Sequence, residues 1–242
     1  MNFLHYKNQL YFKDDELDES TESILVIGGN EGMETPVILH LDNDTTKMER
    51  CGEGKHRSRM YGVGEFLNQD LVRCSGKDSK SYVRFRDCLV IGRRGSRTFT
   101  ALQRSSPAAV KLNESTLWIT GGYITGTGHT NLTEFVDLNG TRLGPSLPMT
   151  IALHCMVRVN DSITLIISGE QNGTSSGKTW IVNTDNEFQI LEGPSLYKSR
   201  TYPSCGVVLD SFNNTIVVVA GGQREESVEF LNTTTMENWT KG

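Results

Sequence analysis

Short apolar runs that end in small residues return along this chain at a nearly fixed interval, and that interval restricts the fold more than any other feature. The runs are Ile24-Leu25-Val26-Ile27-Gly28-Gly29, Leu71-Val72-Arg73-Cys74-Ser75-Gly76, Leu117-Trp118-Ile119-Thr120-Gly121-Gly122, Leu165-Ile166-Ile167-Ser168-Gly169-Glu170 and Ile216-Val217-Val218-Val219-Ala220-Gly221-Gly222. They close at positions 29, 76, 122, 170 and 222, in steps of 47, 46, 48 and 52 residues. Repeats of this length are supersecondary units that bury their apolar faces against copies of themselves. A second marker keeps the same phase: Leu39–Asp42, Arg84–Asp87, Glu134–Asp137, Trp180–Asn183 and Glu229–Asn232, each closing on Asp or Asn. A large apolar residue follows in the last three units, Leu143, Phe188 and Trp239, and Gly144-Pro145-Ser146-Leu147 recurs as Gly193-Pro194-Ser195-Leu196, 49 residues on.

Each unit decodes as four short strands. In the fifth, a strand over Cys205–Leu209 meets turn chemistry in Asp210-Ser211-Phe212-Asn213-Asn214. The β-branched run Ile216–Val219 is too short for a helix and reads as a strand buried on both faces. Gly221-Gly222 ends it, a third strand covers Val228–Leu231, and a fourth begins near Trp239. The third unit offers Val110–Leu112, a turn over Asn113–Thr116 and Leu117–Thr120, and the fourth offers Met156–Val159, Asn160–Ser162 and Ile163–Ile167. Four strands in some 48 residues make one propeller blade.

These units resemble Kelch repeats, whose signature is an apolar strand ending in Gly-Gly, then a spaced aromatic, then Trp. The fifth unit carries it best, through Gly221, Gly222, Phe230 and Trp239. The third has Gly121, Gly122 and Phe135 with Leu143 in the Trp place, and the first keeps Gly28 and Gly29 with His40 at the aromatic position. The second has Ser75-Gly76 and the fourth Gly169-Glu170. The aligned Cys155 and Cys205 are similar to those of secreted Kelch-like proteins of invertebrates. The resemblance implies an all-β Kelch-type propeller of five four-stranded blades, over 1–53, 54–103, 104–148, 149–197 and 198–242, with Tyr6–Phe12 as the first strand. Kelch rings more often have six or seven blades, and the chain stops soon after Trp239, so the expectation is a piece of a larger ring, with a closed five-blade ring as the alternative. It also implies a single domain with a non-catalytic role in binding proteins. The alternatives are the substrate-recognition propeller of an intracellular ubiquitin-ligase adaptor and a copper- or iron-dependent enzyme of Kelch-like architecture.

The chemistry-bearing residues favour the binding role. His5, His40, His56, His129 and His154 are dispersed with no His-x-His or His-x-x-x-His pair, so no local metal cradle is expected and no cofactor is implied. His154, at the entrance to a first strand, is read as structural. The stretch Gly121–Gly128 lacks the Lys and helix start of a phosphate loop, and Ile167-Ser168-Gly169-Glu170 is no nucleophile elbow. Gly92–Arg97 is a short basic patch, read as a solvated loop or a contact for an acidic partner. Arg57 or Arg59, Arg104 and Arg200 stand at similar distances ahead of first strands; they either tie loops together or line a partner-binding face. Trp118, Trp180 and Trp239 are read as packing between sheets.

The net charge of −5 is scattered, with no basic block for nucleic acid and no apolar run of membrane-spanning length. The acidic segment Asp14–Glu19 reads as a solvated loop. Of 16 Asn, nine open an Asn-x-Ser/Thr sequon: Asn43, Asn113, Asn131, Asn139, Asn160, Asn172, Asn213, Asn232 and Asn238. That excess points to a secreted glycoprotein, although β-turns favour the same residues and no export signal is visible at the N-terminus. A cytoplasmic location is the alternative. Cys51, Cys74, Cys88, Cys155 and Cys205 show no zinc-like spacing; a bridge between Cys74 and Cys88 within one blade is conceivable, and free buried thiols are the alternative.

Overall fold

The computed structural model describes residues 22–26, 37–41, 46–50, 59–78, 80–92 and 95–242. All regular structure among them is β, and the chain divides into two compact units, Met1–Ser105 and Ser106–Gly242. In the first unit, β1 (Glu22–Val26), β2 (Val37–Leu41) and β3 (Thr46–Arg50) form an antiparallel meander. A four-stranded meander follows, built of β4 (Arg59–Leu67), β5 (Asp70–Asp78), β6 (Asp87–Gly92) and β7 (Gly95–Thr100), with β8 (Arg104–Ser105) after it. Asn68 and Gln69 join β4 to β5 with φ of 47° and 73°, the left-handed pair whose twist suits a two-residue hairpin.

Cys74 on β5 lies directly opposite Cys88 on β6, and the two are joined in a disulfide with Cα atoms 4.1 Å apart. Of the in-phase marker Arg84–Asp87, only Asp87 enters the third strand of this sheet, and Arg84, Phe85 and Arg86 stand ahead of it. The ladder forms instead on the apolar Leu89-Val90-Ile91, with Val90 opposite Val72, while the Phe85 ring lies under the Arg59 guanidinium at 4.0 Å. Tyr6–Phe12, Gly28, Gly29, Asn43, Cys51, His5, His56, Arg57 and the acidic segment Asp14–Glu19 lie outside the described residues.

The second unit holds three four-stranded antiparallel meanders. The first contains β9 (Ala108–Asn113) and β10 (Thr116–Thr120), then the two-residue ribbon β11 (Tyr123–Ile124) and β12 (Gly128–His129), then β13 (Thr133–Val136) and β14 (Thr141–Leu143). The second contains β15 (Cys155–Arg158) and β16 (Ile163–Ile167), the ribbon β17 (Glu170–Gln171) and β18 (Thr174–Ser175), then β19 (Thr179–Asn183) and β20 (Gln189–Glu192). The third is β21 (Ser204–Leu209), β22 (Thr215–Ala220), β23 (Val228–Asn232) and β24 (Trp239–Lys241). First strands neighbour one another, with β15 beside both β9 and β21.

Two apolar layers hold these sheets face to face. Val110, Trp118 and Phe135 of the first meet Met156, Ile166, Trp180 and Val182 of the second. Phe188 caps that layer, its ring centroid 5.0 Å from Trp118 and 5.2 Å from Phe135. Cys155, Val157, Leu165 and Ile167 then meet Val217, Val219, Leu231 and Trp239. Alternate side chains of a strand point to opposite faces, so β16, lying between two sheets, is buried on both. A second disulfide joins Cys155 on β15 to Cys205 on β21, with Cα atoms 6.1 Å apart.

Two sequence expectations need correction. The run Ile216–Val219 is buried on one face only: Val217 and Val219 are sealed, whereas Ile216 and Val218 are half-buried, because within the unit its sheet has a neighbour on one side. Leu143 does not repeat the role of Trp239. Trp239 lies opposite Leu231 and is buried, its Nε1–H donating to the Pro194 carbonyl at 3.0 Å, while Leu143 lies further along its edge strand opposite Glu134 and is 65% exposed.

Candidate interaction site

In every four-stranded sheet the pairing of the second strand with the third stops at the same backbone step. Ser75, Gly121, Ser168 and Gly221 take φ of 61°, 59°, 64° and 65°, and Gly76, Gly122, Gly169 and Gly222 follow at 89°, 101°, 96° and 132°. The repeated small pair is therefore a left-handed conformation whose first place accepts Ser and whose second is Gly. In the fourth repeat the pair is Ser168-Gly169, one residue earlier than the Gly169-Glu170 read from the sequence. At Gly169 a Cβ would come within 2.7 Å of the Ala152 carbonyl oxygen and of the His154 Cβ. The Ser168 hydroxyl reaches the Ser176 and Arg200 carbonyl oxygens at 2.9 and 2.7 Å and accepts from the Arg200 amide at 3.0 Å.

The residue after the pair is thereby released toward the surface. In neighbouring sheets it is Tyr123 and Glu170, and the Tyr123 hydroxyl donates to Glu170 Oε1 at 2.7 Å. His129, brought back by the β11–β12 ribbon, places Nε2 3.0 Å from the same oxygen, with its ring centroid 4.3 Å from that of Tyr123. The His129 contact is close but not aligned as a hydrogen bond, so it becomes an ion pair only when the imidazole is protonated. A phenol, an imidazole and a carboxylate thus bridge two sheets at one end of the unit, each part-exposed. Beneath them His154 is buried, its Nε2 2.8 Å from Thr120 Oγ1, which places it in a structural role.

The arginines named by the sequence do not present a row to a partner. Arg59, Arg104 and Arg200 are all buried. Arg200 donates to the Gly221 and Ser227 carbonyl oxygens, each at 2.7 Å, to Ser227 Oγ at 2.8 Å and to Glu229 Oε1 at 2.9 Å. Glu229 also accepts from the Tyr197 and Lys198 amides, so the ion pair fixes the loop that follows the last glycine pair. Arg59 holds the Asp87 carboxylate at 2.6 Å. Arg73 is buried with none of its three nitrogens hydrogen-bonded to a described residue, and burial, then the charge of Arg59, lowers its pKa to about 10. In the basic patch, Arg97 is exposed and lies 3.7 Å from Asp70.

Among the described residues no three His, Cys, Asp or Glu side chains gather into a metal-holding group, and no helix is long and apolar enough to cross a membrane. Sequence reasoning missed the Tyr123–His129–Glu170 cluster by treating Glu170 as part of the glycine pair. The signal was the phase itself, since Tyr123 and Glu170 lie one repeat, 47 residues, apart.

No family model matches this chain, and no curated protein matches it. Among solved structures it is similar to one titled "Structure of YjhT", with a TM-score of 0.73 and 12% identity, over 93% of this chain and 81% of the other. At that identity the likeness is one of fold alone: an all-β arrangement of four-stranded antiparallel sheets, compatible with a β-propeller.

Proposed function

We propose that this chain is a Kelch-type β-propeller of about five four-stranded blades that binds other proteins outside the cell and has no catalytic role. The observation that carries this reading is the left-handed pair repeated at residues 75–76, 121–122, 168–169 and 221–222, each in the same place of a four-stranded sheet. Such a frame is rigid and repetitive, while the residues it releases differ from sheet to sheet: Tyr123, Glu170 and Gln223 follow successive pairs in the second unit. A constant scaffold with variable loops is how repeat folds present binding surfaces. The disulfides Cys74–Cys88 and Cys155–Cys205 support an oxidising compartment.

The reading is tested by passing extracellular fluid of the source tissue over the immobilised, secreted chain. The wild type should retain a defined protein after washing. A variant carrying Tyr123→Ala and Glu170→Ala should retain at least tenfold less of it, as loss of an interface anchor costs about 2 kcal/mol or more. Equal retention by both, or stoichiometric copper or iron in the purified protein, would overturn the reading.

A further inference from the structure

The sequons are not spread evenly over the fold. In a four-stranded meander, the turns from first to second and from third to fourth strand lie at one end, and the glycine pair lies at the other. In the second unit Asn113, Asn160 and Asn213 belong to first-to-second turns, and Asn139, Asn232 and Asn238 to third-to-fourth turns. Two sequons, Asn131 and Asn172, stand at the glycine-pair end. The three sheets share this polarity: the Gly122 amide donates to the Ile151 carbonyl and the Gly169 amide to the Arg200 carbonyl, each just ahead of the next first strand, at 2.8 and 2.9 Å.

Accessibility divides them further. Asn113, Asn139, Asn160, Asn172, Asn213 and Asn238 are exposed. Asn131 is half-buried, its Nδ2 donating to the Leu147 carbonyl at 3.1 Å, and the Thr133 that completes its sequon is buried and donates to the Pro145 carbonyl at 2.8 Å. Turn chemistry explains some of these residues but not all. The Asn113 and Asn160 side-chain oxygens accept amides two residues on, as Asp137 and Asp210 do in sister turns. Asn213 has φ of 62°, a conformation Asn favours. Neither explanation covers Asn139 and Asn238. Their side chains make no hydrogen bond to a described residue, yet each has Thr two places on.

We propose that, when this chain passes through a secretory pathway, N-linked oligosaccharides are placed at Asn113, Asn139, Asn160, Asn213 and Asn238, on the hairpin end of the sheets, while Asn131 stays unmodified and Asn172 is the one exposed exception at the other end. This rests on the extracellular reading above. The reaction takes its sugar from a polyisoprenyl-diphosphate-linked oligosaccharide: the Asn amide nitrogen forms a bond to the anomeric carbon, the bond from that carbon to the diphosphate oxygen breaks, the diphosphate leaves with the electron pair, and the amide gives up one proton. A layer of hydrated sugar over the hairpin end bars close protein contact there. The end carrying Tyr123, His129 and Glu170 holds one exposed sequon, Asn172, against five at the hairpin end, so the glycans favour the glycine-pair end as the face that meets a partner.

Secreted, folded protein from a glycosylating host, treated with peptide N-glycosidase in 18O-labelled water and mapped by peptide mass spectrometry, reads this placement. Majority labelling at the five exposed hairpin-end positions with Asn131 unlabelled is expected, and Asn139→Gln and Asn238→Gln should each remove one glycan without moving Tm. Labelling of Asn131 in the folded protein, or most hairpin-end positions unlabelled, would overturn the proposal. The extracellular reading fails by a different result: the expected pattern in the recombinant protein, with no modified Asn in protein purified from its natural source.

Discussion

Gly169 and Gly126 both hold left-handed backbone, at φ of 96° and 81°, but their surroundings differ. A Cβ at Gly169 meets the Ala152 carbonyl and His154, while one at Gly126 meets nothing within 4 Å. Gly126→Ala should therefore cost only the conformational strain, about 1–2 kcal/mol, and Gly169→Ala about 3 kcal/mol or more, compared by urea denaturation. Equal costs would mean that the close approach at the pair carries no weight. Arg73 makes the opposite case, a side chain whose removal should help. Its pKa of about 10 lies below the ordinary arginine value, so the unfolded chain holds the proton more tightly and the native state bears a cost while charged. That cost is fully present at neutral pH, about 3 kcal/mol, and shrinks as pH climbs above about 10. Arg73→Met should raise stability at pH 7 by about 2 kcal/mol, measured as a higher urea midpoint, and a lower midpoint would show that the guanidinium is stabilising where it stands.

The repeat also shows how one element solves the same packing problem twice. Ile151 and Arg200 each offer a carbonyl to the glycine of the preceding pair, so they hold the same place one repeat apart. Glu229 lies opposite Val219 and Trp180 lies opposite Ile166, partners that stand three residues before Gly222 and Gly169 respectively. One sheet fills these two places with a buried ion pair, Arg200 and Glu229, and the other with Ile151 and Trp180, members of one apolar layer. Glu229→Ala alone leaves a buried charge unpaired and should cost about 3–5 kcal/mol. Arg200→Ile with Glu229→Trp transplants the neighbouring solution and should recover most of that loss in thermal denaturation, whereas additive losses would mean that the two sheets are not equivalent. Within elements much was legible, because strand limits follow from β-branched runs and Asx turns: β10, β16 and β22 lie within two residues of the runs that announced them. The misreadings came where one residue type mimicked another's place. Phe85 before Asp87 copied the aromatic marker, and Glu170 after Gly169 copied the second glycine, because spacing alone does not reveal which residue carries the left-handed φ.

At the scale of the molecule, the period announced a repeated sheet, and the sheets are present. The cluster of Tyr123, His129 and Glu170 was not legible, since it depends on which neighbouring sheet each loop leans against, and a linear pattern carries that only through phase. Of the two disulfides, Cys74–Cys88 was within reach of the sequence as a bridge inside one blade, whereas the separation of Cys155 and Cys205 becomes meaningful only once their strands are known to be neighbours. The central claim is that these sheets fan around an axis rather than stack in a line. It is tested most directly by spin-label distances among Glu114, Asp161 and Ser211, exposed residues in successive first-to-second turns, with labels attached by a chemistry that spares both disulfides. A fan predicts similar distances for Glu114–Asp161 and Asp161–Ser211 and a Glu114–Ser211 distance clearly shorter than the two combined. A Glu114–Ser211 distance equal to their total would place the sheets in a straight stack and contradict the account.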